Sequence, residues 1–237
     1  MKIRSAISLF CLVSVFACGD PRRSVGELIE VAADPGRGFN YPYFLTVPHA
    51  DQASRLPWLV VESNNTGTVS DDFTVHHASA RSQAQGNSLG PMIAREFGLP
   101  SLTPVFPRSE SGWQTYTHAL DYPLGLNDYA LLTGREFPSA QWNRLPQFLF
   151  MGADDDNDAT QYADAYSDAE RTVIYAALGK TMQPDRWVRC QQAYVAAGAN
   201  TVFRTYEGVA HGTSSLVHRE LLEFVGEVLG VQVRTTK

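Results

Sequence analysis

Apolar residues in this chain gather in two patterns. In the first they form short unbroken runs: Trp58-Leu59-Val60-Val61 and Phe148-Leu149-Phe150-Met151 contain no polar residue. Runs of that length without alternation predict strands covered on both faces, as in a parallel sheet. Phe44 to Val47, with Pro42 and Pro48 at its margins, and Thr201 to Tyr206 read as further strands. In the second pattern apolar residues recur at helical spacing. A helix is predicted around Pro91 to Phe97, stopped by Gly98, and another over Ala163 to Leu178, stopped by Gly179. A third is predicted over Pro184 to Ala197, with Pro184 at the first helical position and Asp185 complementing the helix dipole. Val217, Leu221, Phe224, Val225 and Val228 mark one face of a last helix. Strands alternating with helices predict an α/β fold, mostly parallel, with helices on both faces.

Two of the strands end in chemistry. The run through Met151 stops at Gly152 and passes into Ala153-Asp154-Asp155-Asp156-Asn157-Asp158, four carboxylates and an Asn within five residues. Buried strands seldom lead into such a cluster unless the charges find solvent, a metal or a cationic partner. The strand ending at Tyr206 passes into Glu207-Gly208-Val209-Ala210-His211-Gly212. In open α/β sheets, function collects just past the carboxyl ends of strands.

Strand-Gly-x-x-Asp followed by strand-Gly-x-x-His-Gly resembles the last third of an α/β-hydrolase, and the wording FMGADDDND and YEGVAHGT resembles secreted bacterial esterase-like members of that superfamily. The resemblance implies a Ser-Asp-His chain order, with Asp155 as the acid, Asp154 as its nearest rival and His211 as the base. It also implies that the loop after Trp58 to Val61 donates a backbone N–H to an oxyanion hole, with Asn65 and Thr66 as candidates. A plain Asn/Gly turn is the competing reading of that loop. Leu102 to Arg108 resembles the family's next strand.

The nucleophile is the difficulty. The family places it on a tight Gly-x-Ser-x-Gly turn between a strand and a helix. The interval from Pro107 to Leu145, where that turn belongs, contains no Val, no Ile and no such motif. Tyr116 to Asp121 resembles a segment that precedes the elbow, and Tyr122 to Gly125 one that follows it. A module is therefore expected to be missing, with an internal deletion near residues 121–122, and the resemblance otherwise runs from Gly36 to Gly230. Gly86-Asn87-Ser88-Leu89-Gly90 matches the motif but follows a polar stretch, so Ser88 is a weak nucleophile candidate whose competing role is at the approach to the next helix. The expected result is a reduced hydrolase-like sheet in which residues 58–61 pair in parallel with residues 147–151. Its strand order would be Phe44, Val105, Val60, Leu149, Phe203, with residues 109–144 as an irregular crossover.

Composition changes the picture in two ways. A net charge of -6 argues against a nucleic-acid partner, and a 44% hydrophobic content supports a folded domain over its 237 residues. Lys2, Arg4 and the apolar stretch Ile7 to Ala17 read as a signal peptide over residues 1–17. Val15-Phe16-Ala17-Cys18 resembles a bacterial lipobox. Cys18 is then a lipidation site, residues 18–35 a tether, residues 36–237 the hydrolase-like domain, and the location extracytoplasmic on a bacterial membrane. Cys190 reads as a small buried hydrophobe.

Other motifs fail on their own terms. Asp154, Asp156 and Asp158 mimic an EF-hand start, but Ala159 and Ala165 stand where Gly and Glu are needed. No metal site is expected, a looser calcium arrangement being the alternative. Gly179-Lys180-Thr181 lacks the first Gly of a phosphate loop. His49, His76 and His77 lie in polar, loop-like segments, His218 on the last helix, and His118 beside Tyr116. Two functions follow as expectations. One is a cofactor-free carboxylic-ester hydrolase frame, acting on a small ester, that has lost its nucleophile and most or all of its activity. The other is a non-catalytic, membrane-tethered binding protein or remnant on the same frame.

Overall fold

A computed structural model describes residues 26–64, 72–86, 88–105, 128–161 and 166–233. In chain order its strands are β1 (Glu27–Val31), β2 (Tyr43–Val47), β3 (Val60–Val61), β4 (Ser101–Pro104), β5 (Gln147–Gly152) and β6 (Thr201–Tyr206). Its helices are α1 (Phe73–Gln85), α2 (Leu89–Phe97), α3 (Tyr129–Thr133), α4 (Ser139–Trp142), α5 (Asp168–Leu178), α6 (Trp187–Ala196) and α7 (Ser215–Leu229). The protein is mixed α/β with small, partly parallel sheets. It divides into two units, residues 1–111 with 212–237, and residues 112–211.

The first unit holds a four-stranded sheet in the order β1-β2-β4-β3. β1 and β4 both pair antiparallel with β2, while β3 runs parallel to β4 with Val60 opposite Ser101. The expected order Phe44, Val105, Val60 thus holds for β2, β4 and β3, but the sheet is mixed rather than mostly parallel. β1 is the reason. It forms within the expected tether, as a five-residue edge strand whose two glutamates, Glu27 and Glu30, are exposed.

α1 corrects a second expectation, since His76 and His77 lie on a helix rather than in a loop. Its sequence has no large apolar stripe. The buried positions His76, Ala80 and Ala84 recur every four residues, and two of them are small enough for the helix to approach the sheet closely. Ala80 and Ala84 form a core cluster with Phe44 and Val105, all between 0% and 1% exposed. Asp72 caps α1 by accepting from Thr74 N at 2.9 Å. α2 and α7 pack on each other through apolar faces that include Leu89, Ile93, Val217, Leu221 and Val225. Each ends at a left-handed glycine, Gly98 and Gly230.

The second unit is built on the parallel pair β5–β6, in register over six residue pairs from Gln147–Thr201 to Gly152–Tyr206. α5 and α6 form the crossover that parallel strands require. α5 begins at Asp168, later than expected, because Ser167 and Glu170 form a capping box there. α6 begins at Trp187, after a π-type turn over Met182–Arg186 that contains Pro184. Trp187 and Tyr194 of α6 cover Phe203 edge-on at 5.3 and 5.5 Å, and Trp187 Nε1 donates to Thr205 Oγ1 at 2.8 Å. The ladder expected between residues 58–61 and 147–151 is not formed, while the two ladders expected on either side of it are: β3 pairs with β4 and β5 with β6. Only two of the four residues expected in the Trp58 strand are strand, so β3 has little backbone to offer beyond β4. The proposed join at 121–122 lies outside the described residues.

Candidate active site

The ends of β5 and β6 come together because Gly152 has no side chain. A Cβ there would lie 2.1 Å from the Val209 carbonyl oxygen and 2.5 Å from that of Ala210. The loop after β6 therefore folds directly over the end of β5. Ala153 N then donates to Tyr206 O at 2.9 Å and Asp154 N to Val209 O at 3.0 Å, extending the ladder into the two loops.

This lock sets the acid. The next residue after the locked pair, Asp155, turns back with its N–H 3.3 Å from Gly152 O. Its Oδ1 accepts from Asn157 N at 3.1 Å, an Asx turn that uses one carboxylate oxygen. The other, Oδ2, lies 3.3 Å from His211 Nδ1. Asp155 is 13% exposed at its side chain and His211 40%, so the acid is sheltered while the ring stands half in solvent. A carboxylate at Nδ1 holds the ring proton there and leaves the Nε2 lone pair as a base. The distance is long for a charge-assisted bond, as such bonds often are before substrate draws the site together. Asp154 is exposed and contributes its backbone to the lock, so Asp155 is the acid that meets the histidine.

The remaining acids separate by environment. Asp156 is exposed. Asp158 is buried and makes a two-bond ion pair with Arg186, Oδ1 to Nη1 at 2.6 Å and Oδ2 to Nη2 at 2.8 Å. Thr160 adds a hydroxyl bond at 2.6 Å and a backbone bond at 3.0 Å to the same Oδ1. Burial pushes the Asp158 carboxyl upward, but the Arg186 and Thr160 bonds together with the guanidinium charge outweigh it and hold the pKa at about 2. With both oxygens engaged by a cation, Asp158 is not placed to serve a calcium ion. No cluster of three or more His, Cys, Asp or Glu side chains suited to a metal occurs among the described residues.

Ser88 stands at the N-cap of α2, the competing position foreseen for it. Its hydroxyl donates to Glu62 Oε2 at 2.6 Å and lies 3.3 Å from the Gln83 carbonyl. Glu62 follows β3 directly and is 3% exposed. Burial raises its pKa, against hydrogen bonds from Ser88, Gln83, Gly90 and Leu89. Gly90 makes room for it, since a Cβ there would lie 2.7 Å from Glu62 Cβ. The second glycine of the serine motif thus accommodates a carboxylate over a helix start rather than shaping an elbow. Glu62, Thr160 and Arg186 went unread in the sequence. An acid directly behind an apolar run was the available signal for Glu62, as it was for Asp155.

Asn65, Thr66, Cys18 and His118 lie outside the described residues. His218 Nε2 lies 2.7 Å from Thr213 Oγ1 near the start of α7, and burial lowers its pKa, which favours a neutral, accepting ring. His77 bonds Glu30 of β1 at 2.8 Å. Cys190 is half-buried, and burial pushes its thiol up to about 11, away from the reactive thiolate. No helix among the described residues is long and apolar enough to cross a membrane. No family model, curated protein or solved structure matches the chain.

Proposed function

We propose that this chain is an α/β-hydrolase-superfamily protein of the secreted, bacterial esterase-like kind, which keeps the acid and base of a Ser-His-Asp triad and lacks the serine. The observation that carries the reading is the 3.3 Å approach of Asp155 Oδ2 to His211 Nδ1 at the carboxyl ends of two adjacent parallel strands. An imidazole oriented by a carboxylate takes a proton from a nucleophile during acyl transfer. Without a serine it can at most activate water, which forgoes the covalent route. The natural substrate class is a small carboxylic ester, with no cofactor, and activity is weak or nil. The N-terminal sequence supports lipidation at Cys18 and residence on the outer side of a bacterial membrane.

The alternative, a non-catalytic tethered binding protein on the same frame, draws on the elbow-free interval from Pro107 to Leu145. A fluorophosphonate probe combined with p-nitrophenyl acetate hydrolysis tests the proposal. The expected result is no covalent adduct, and slow hydrolysis that His211→Ala abolishes. An adduct on any serine would overturn the missing-nucleophile reading. Hydrolysis absent from the start would fit an inactive hydrolase frame and the non-catalytic binding protein alike, leaving ligand binding to separate them.

A further inference from the structure

We propose that Arg186 is a positioning residue for the Asp155–His211 pair, acting through Asp158 and Thr160. This rests on the reading of that pair as the acid and base of the site. The 3.3 Å contact to a 40% exposed ring is too long to hold Asp155 in place by itself. The loop carrying Asp155 must therefore be held by its ends. One end is Gly152, locked beneath Val209 and Ala210. The other end is Asp158, three residues beyond Asp155.

Arg186 fastens that second end. Nη1 and Nη2 take the two oxygens of Asp158 at 2.6 and 2.8 Å, and Nη2 also lies 2.9 Å from Thr160 Oγ1. Nε donates to Gly179 O at 3.1 Å, and Nη2 lies 3.0 Å from Lys180 O. The guanidinium carbon sits 5.7 Å from the centre of the Tyr175 ring. One side chain thus ties the acid loop to the end of α5 and the approach to α6. Its two-pronged geometry matches a carboxylate, which a lysine ammonium cannot reproduce. Between the two fixed ends, the Asx turn of Asp155 commits Oδ1 to Asn157 and leaves Oδ2 for the histidine. Loosening Asp158 frees the segment that aims Oδ2.

The readout is the His211 tautomer, followed by ring 1H–15N correlation spectra of the full chain under conditions where the ring is neutral. A free imidazole carries its proton mostly on Nε2. A hydrogen bond to a carboxylate reverses this by about tenfold or more in favour of Nδ1. Wild type is expected to show the Nδ1–H form, and Asp155→Asn to lose it. Arg186→Lys and Asp158→Asn are expected to lose it as well, while the Trp187 indole N–H signal, from a residue bonded to Thr205, stays in place to report folding. Thr160→Val leaves the ion pair intact and so provides a folded variant if the other two unfold. Its shift should be in the same direction and smaller. Folded clamp variants that keep the wild-type tautomer would overturn the positioning role and leave the acid–base reading standing. A wild-type ring without the Nδ1–H form would overturn both, and would do so before any clamp variant is made.

Discussion

Acid should loosen the second unit through Asp158, by an amount that can be worked out in advance. The Asp158 carboxyl moves from an ordinary 3.8 to about 2 in the folded protein. Its side chain is 3% exposed and that of Arg186 13%, so solvent screens the pair little. A shift of nearly two units, at about 1.4 kcal/mol per unit, corresponds to about 2.5 kcal/mol of stability. Because the folded value is depressed, that contribution is fully present above the unfolded value near 3.8 and is lost as pH falls through about 2. Asp158→Asn removes the titrating group and leaves Arg186 facing a neutral amide, which should cost about 3–5 kcal/mol near neutrality, as for other broken buried pairs. Urea titrations of both proteins, followed by tryptophan fluorescence from pH 7 to pH 2, test this. The gap between them should be flat down to about pH 5 and then narrow by about 2 kcal/mol as the wild-type carboxyl itself protonates. A gap that stays constant to pH 2 would refute the assignment of the low pKa to the Arg186 clamp.

Two further outcomes follow from packing and burial. Gly152→Ala places a Cβ about 2.1 Å from the Val209 carbonyl oxygen, so it should destabilise by about 1–3 kcal/mol; thermal melts check the cost, and a ring spectrum of His211 checks the accompanying loss of the Asp155 contact. Glu62 has a raised folded pKa, so the wild type binds more protons folded than unfolded and should lose stability as pH rises from about 4.5; Glu62→Gln should flatten that slope, and parallel slopes in the two proteins would count against it.

Much of this molecule is written in local signals. The stops at Gly98, Gly179 and Gly230, the apolar run into Gly152, and the helical face of α7 each depend on residues within a turn or two of one another. The two loops that carry Asp155 and His211 are legible for the same reason, since each is a polar, glycine-bearing segment directly behind a strand. Partner choice is different. Backbone N–H and C=O groups are alike in every strand, so nothing in the run Trp58 to Val61 says that it meets Ser101 and Leu102 on one side but not Gln147 to Met151 on the other. β1 and α1 escape a pattern reading because one is short and charged and the other buries alanines, whose use shows only against Phe44 and Val105. The same holds within the acid cluster. Four aspartates look equivalent along the chain, and only the tertiary structure hands Asp158 to Arg186, 28 residues away. It likewise turns Asp155 toward His211, 56 residues away, and leaves Asp154 and Asp156 to water. Charge and hydrogen-bond partners at that separation come together only when the strands beneath them have paired.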